Sequence, residues 1–218
     1  MFTLVDMSRS FKNDIVGLKT RDKISDLNKD LSQTNNLTQT EFENVLNKTE
    51  TSLQETSKPE VIASLTYEAS KKISQNALDI LSNLLTQNKL LANLSYSNEL
   101  ESSNKIFNII HLVAKIMNAK VKQEFTYQNE SIVLKTQRFE PSQNASIAFD
   151  VQNIKYPVDV NIPFTSLNSS ESVAATFAVI LKFPIRNFLH FEKKKLNTHI
   201  FALVLDEGSV LKDDFVYR

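Results

Sequence analysis

Near Lys122 the hydrophobic pattern of the chain changes period, from about 3.6 residues to about 2. A helix presents one face every three to four residues and a strand alternates faces at each residue, so neither an all-helical nor an all-β fold accommodates both halves. Before the change, Phe11, Ile15 and Leu18, then Ile24, Leu27 and Leu31, predict one helical stripe with a break near Thr20 to Asp22. Thr38-Gln-Thr-Glu41 predicts a capping box ahead of Phe42, Val45, Leu46, Thr49 and Leu53. Ser57-Lys-Pro-Glu60 repeats the arrangement with proline in the first turn, where its missing N–H costs nothing, and predicts one long helix through Val61, Ile62, Leu65, Ala69, Ile73, Ala77, Ile80 and Leu84. Ile106, Ile109, Ile110, Val113, Ile116 and Met117 describe a further helix with an apolar face wide enough to be central.

After the change, the β-formers of Ser131 to Phe139, the alternation of Ile147, Phe149 and Val151, and that of Val158, Val160 and Ile162 predict strands. Val173, Ala175, Phe177, Val179, Leu181 and Phe183 form the longest alternating set. Ile200 to Leu205 is apolar on both faces and is expected inside the sheet packing, with a turn at Asp206-Glu207-Gly208-Ser209 after it. The predicted fold is α+β: a helical bundle subdomain over residues 1–120 and an antiparallel β-sandwich over residues 121–218. The expected cores are Ile106, Ile110, Val113 and Met117 on the helical side and Phe149, Ile162, Phe177, Val179, Leu181 and Val204 on the β side.

Composition narrows the function. Lys and Arg number 25 against 25 Asp and Glu, so no net field recruits polyanions and nucleic acid is not an expected partner. With no cysteine there is no disulfide framework, thiolate metal site or cysteine nucleophile. The glycines are Gly17 and Gly208 alone, too few for a phosphate-cradling loop, so no nucleotide cofactor is expected. No apolar run reaches the roughly 20 residues of a membrane helix, and Met1 to Ser10 does not read as a secretory signal.

Individual residues give weak chemical signals. His111 sits among apolar neighbours and is expected to be a half-buried helix residue. His190 and His199 make only a two-ligand set for a metal. Lys193, Lys194 and Lys195 read as a solvated turn beside Glu192, and Asp206, Glu207, Asp213 and Asp214 lack the spacing of a calcium loop. No G-x-S-x-G elbow anchors a catalytic triad. No catalytic, metal or cofactor-binding residue is assigned. What stands out is a set of N-x-S/T sequons at Asn36, Asn47, Asn93, Asn129, Asn144 and Asn168, all candidate glycosylation sites. Residue frequencies alone give about three to four such sequons, so the excess is a small one toward an extracellular placement.

The order of a helical half, Ser131-Ile-Val-Leu-Lys-Thr-Gln-Arg-Phe139, Ala148-Phe149-Asp150, Val160-Asn-Ile-Pro-Phe-Thr-Ser-Leu167, Phe177-Ala-Val-Ile-Leu181 and Asn197-Thr-His-Ile-Phe-Ala-Leu-Val204 resembles the GAIN domain. The resemblance runs from about Thr56 to Tyr217. It implies a membrane-proximal extracellular part of an adhesion receptor or a polycystin-like protein, the latter type following an REJ module. The family's proteolysis motif carries cysteine and tryptophan and cleaves at His-Leu-Ser or His-Leu-Thr. This chain has neither residue type, His199 precedes Ile200 and Phe201, and His111 precedes Leu112 and Val113, so no catalytic residue transfers. The expectation is a non-enzymatic extracellular stalk or adhesion module of a larger membrane protein, partnered by neighbouring domains of the same polypeptide or a protein ligand. The alternative is a cytoplasmic scaffold or protein-interaction domain that docks through its helical half.

Overall fold

In the computed structural model the described residues are 4–32, 37–87, 90, 96–122, 124–140, 146–151, 158–163, 172–181 and 200–205. The helices among them are α1 (Leu4–Ser32), α2 (Gln39–Thr56), α3 (Pro59–Ser64), α4 (Tyr67–Leu85) and α5 (Tyr96–Asn118). The strands are β1 (Glu124–Gln128), β2 (Ile132–Phe139), β3 (Ser146–Val151), β4 (Val158–Pro163), β5 (Val173–Ile180) and β6 (Ile200–Leu205). This is the α+β class expected, with the first strand opening close to the change of period.

Local chemistry sets the helix ends. At the start of α2 the Glu41 N–H donates to Thr38 Oγ1 at 3.3 Å and the Thr38 N–H donates to Glu41 Oε2 at 2.8 Å, the reciprocal box expected. Hydrogen bonds from Thr38 hold the Glu41 carboxyl below the usual glutamate range. The second expected cap works differently: Ser57 closes α2, its hydroxyl donating to the Gln54 carbonyl at 3.0 Å, and the N-cap of α3 is Lys58, with no side-chain bond. The long helix expected after it is two helices, because Leu65 is extended and Thr66 caps α4 by accepting the Ala69 N–H at 3.1 Å.

The expected break in α1 is absent, and the buried face has another register. Leu18 and Ile24 are six residues apart, about 120° around a helix, and Leu18 is 48% exposed. Gly17, Thr20, Ile24 and Leu31 form the buried face. Gly17 is where α1 meets the end of α3, since a Cβ there would stand 2.5 Å from Leu65 Cδ2. Phe11 and Ile15 have side chains outside the described residues.

β1, β2, β5 and β6 form an antiparallel sheet in that order, and β3 pairs with β4 in a second antiparallel sheet. All residues of β5 are buried, because each face of the strand meets a different layer. Ala174, Ala178 and Ile180 join Ile106, Ile110, Val113, Met117 and the α4 leucines in one cluster. Val173, Ala175, Phe177 and Val179 join Val133 and Phe149 in another, where the Phe149 ring stacks on Phe177 at 5.5 Å and meets Phe139 edge-on at 5.7 Å. The strand enclosed on both faces is thus β5, whereas β6, expected inside, lies outermost in its sheet among the described residues and is half-buried over 202–205. Val204 is half-buried, Leu181 packs at the edge of the second cluster, and the Ile162 side chain and Phe183 lie outside the described residues.

Candidate functional site

The end of α5 runs against the middle of the larger sheet, and three polar side chains meet in that otherwise apolar seam. Thr136 and Thr176 are cross-strand partners with hydroxyls 2.7 Å apart, and Thr176 Oγ1 donates to Asn118 Oδ1 at 2.7 Å. An amide oxygen only accepts, so Thr176 spends its proton on Asn118 and Thr136 must donate to Thr176. Asn118 Nδ2 donates to the Val204 carbonyl of β6 at 3.2 Å, which fixes which way the amide faces. One directional chain therefore links β2, β5, α5 and β6 with no water needed, as all three side chains are buried.

Arg138 of β2 closes the same end of the helix. Its Nη2 donates to the Asn118 carbonyl at 3.1 Å, its Nε to the Val121 carbonyl at 3.2 Å and its Nη1 to Ser172 Oγ at 3.3 Å. A guanidinium here satisfies carbonyls that lack intrahelical partners and stands at the negative end of the helix dipole. Lys120 Nζ donates to the Ala63 carbonyl at the end of α3 at 3.1 Å, and burial draws its ammonium below the usual lysine range.

Beside this seam lies a cavity of about 440 Å³ bounded by Ile62, His111, Lys115, Lys120, Val204 and Leu205. Its walls combine apolar side chains with cationic and imidazole groups, and no hydroxyl, thiol or carboxylate side chain lines it among the described residues. His111 is exposed rather than half-buried.

A second polar network ties the other end of the sheet to the helices. Tyr127 of β1 donates to Asp79 Oδ1 of α4 at 2.7 Å, and Asn28 Nδ2 of α1 reaches Asp79 Oδ2 at 3.5 Å. Asn129 Nδ2 donates to the Tyr127 oxygen at 2.6 Å, while Asn129 Oδ1 accepts the N–H groups of Ser131 and Ile132, each at 2.9 Å. Asn129 thereby shapes the β1–β2 turn with its own side chain. Burial first, and then the Asp79 carboxylate, push the Tyr127 phenol well above the usual tyrosine range.

Of the six sequon asparagines, Asn47 is exposed on α2 and Asn129 is half-buried in that turn. Asn36, Asn93, Asn144 and Asn168 lie outside the described residues, as do His190, His199, Lys193, Lys194, Lys195, Asp206, Glu207, Asp213 and Asp214. No group of metal-ligating side chains occurs among the described residues, and no helix there is long and apolar enough to cross a membrane. Sequence reasoning did not single out Asn118, Thr136, Thr176 and Arg138. The available signal was a threonine at an inward position of a strand whose other residues are apolar.

No protein-family model matches the chain, and no curated protein matches it. Among solved structures, the full extracellular region of zebrafish Gpr126/Adgrg6 is similar in fold, with 91% of this chain aligning to 26% of that one at a TM-score of 0.50 and 13% identity. The chain thus spans about a quarter of the length of that extracellular region, and the likeness is one of fold.

Proposed function

We propose that this chain is a non-enzymatic, GAIN-like module in the extracellular part of a larger membrane protein, acting as a stalk or adhesion element. The observation that carries the proposal is the fold likeness to an adhesion-receptor extracellular region over nine-tenths of the chain. Two features of the molecule support a mechanical rather than catalytic role. The seam holds a set of buried hydrogen bonds that fasten a helix end to three strands, and such bonds resist sliding of one layer over another more than apolar contacts do, because their geometry is directional. The cavity beside it brings no hydroxyl, thiol or carboxylate side chain to His111 among its described walls. The candidate glycosylation sites are to be sought among the sequon asparagines, with neighbouring domains of the same polypeptide or a protein ligand as partners.

The test is the location of the protein in its own cells. A tagged copy should be labelled by antibody on unpermeabilised cells and should lose apparent mass on treatment with an N-glycosidase. Labelling only after permeabilisation, with no glycosidase shift, would replace the proposal by the intracellular scaffold. The intact mass of the purified chain should also stay at 24.8 kDa on incubation at neutral pH. Conversion to two stoichiometric fragments would reopen the enzymatic reading.

A further inference from the structure

We infer that Asn47 and Asn129, identical as sequons, have opposite fates: Asn47 carries an N-linked glycan on the outer face of α2, and Asn129 is a turn-forming residue left unmodified in the folded protein. The inference rests on the extracellular reading above. It follows from what each amide nitrogen is doing once the chain has folded.

Asn129 is engaged through both its amide oxygen and its amide nitrogen. Its oxygen accepts two backbone N–H groups at 2.9 Å, and its nitrogen stands 2.6 Å from the Tyr127 oxygen, which in turn donates to Asp79. The hydroxyl residue of the same sequon, Ser131, is fully buried. A sugar replaces one of the two hydrogens on this same nitrogen, which brings its bulk up against the contact between the β1–β2 turn, Tyr127 and α4. Accommodating that bulk strains the turn or the Tyr127 contact. Glycosylation acts on the emerging chain before such contacts form, so the fold does not block the reaction itself. It selects afterwards, because a molecule glycosylated at Asn129 completes the network less readily, folds less stably and is depleted from the secreted pool.

Asn47 is placed the other way. It is exposed, with Lys48 exposed beside it, and the buried members of its sequon neighbourhood, Leu46 and Thr49, point to the core. Thr49 Oγ1 donates to the Val45 carbonyl at 2.8 Å, so the hydroxyl used in recognition of the emerging chain is afterwards withdrawn into the helix. Asn47 opens onto a groove of about 570 Å³ between α1 and α2, whose walls include Lys23, Asp26, Asp30 and Glu55. An open groove with charged side chains at its walls leaves room for the first sugars.

The experiment is site-specific occupancy. The full 218-residue chain is expressed in eukaryotic cells behind an added cleavable leader, so that it meets the glycosylation machinery whatever its natural location. Secreted protein is then treated with N-glycosidase in ¹⁸O water and mapped by peptide mass. Asn47 is expected to be marked in most molecules and Asn129 in almost none. Asn47→Gln should remove one glycan's mass with secretion unchanged, and Asn129→Gln should lower secretion severalfold with no change in glycan mass. Marking of Asn129 in the secreted pool, or an unmarked Asn47, overturns the inference. Should Asn129→Gln fail to fold, the wild-type map still decides. Because the leader is supplied, this outcome is independent of the cellular location on which the extracellular reading stands or falls.

Discussion

The helical layer is fastened to the sheet at two places, and the two fastenings differ in their access to water. Asn118, Thr176 and Thr136 form a chain in which every side chain is at most 1% exposed. Tyr127, Asp79, Asn28 and Asn129 form a network at the sheet edge whose members, Tyr127 apart, are half-buried. Both join elements far apart in sequence, yet losing a member has different consequences. In the dry chain a deleted partner leaves a buried polar atom with nothing to bond, at a cost of about 1–3 kcal/mol for each group stranded. At the edge, water takes the vacated position and the loss is close to the net value of one hydrogen bond, about 1 kcal/mol.

The largest effect should come from Asn118→Ala, which strands both the Thr176 hydroxyl and the Val204 carbonyl. We expect a loss of about 3 kcal/mol in urea denaturation. Direction within the chain then separates the threonines. Thr176→Val removes the middle link and should cost about 2 kcal/mol, whereas Thr136→Val removes only the outermost donor and should cost about 1 kcal/mol. Equal costs, or the reverse order, would break the assigned direction of the hydrogen bonds.

Tyr127→Phe at the edge should cost about 1 kcal/mol near neutral pH and should change the response to alkali. The phenol has a folded pKa raised above its ordinary value of 10.0, so folding favours the protonated form. The stability it contributes is fully present below about pH 10 and declines as pH rises beyond that value, where the unfolded chain releases the proton first. Denaturation midpoints measured from pH 8 to 11 should fall less steeply for Tyr127→Phe than for the parent. Parallel slopes would show that the phenol is held protonated neither by burial nor by Asp79. The smallest effect belongs to the surface: Thr66→Ala removes one exposed cap and should cost about 0.5–1 kcal/mol.

What could be read in advance was whatever neighbouring residues decide among themselves. Thr38 and Glu41 are three residues apart and form their box as expected. Ile106, Ile110, Val113 and Met117 recur at helical spacing, and all are buried. Elsewhere a local signal was overridden by another. Thr66 offered a cap inside what looked like one long apolar stripe, and Ser57 finished a helix rather than starting one, because α2 already reached it. Leu18 matches Ile24 in hydrophobicity, but the helix turns it away from the buried face.

The seam was illegible for a different reason. Thr176 meets Asn118 across 58 residues and Thr136 across 40, and nothing in the vicinity of any one of them announces the others. The same holds for β5. Its alternating large residues suggested a strand with one buried face, but the intervening Ala174, Thr176 and Ala178 are small because a helix lies against them. Among the sequons, the pattern itself does not separate Asn47 from Asn129, since exposure and hydrogen bonding arise only in the fold.

The seam is the joint that makes helices and sheet a single cooperative unit. Native-state hydrogen exchange followed by mass spectrometry tests this most directly, comparing peptides from the second half of α5 with those from β5. Exchange of both should be governed by one opening free energy, and Thr176→Val should lower that value equally in the two elements. Two distinct opening energies in the parent protein, with Thr176→Val loosening β5 and leaving α5 unchanged, would contradict it.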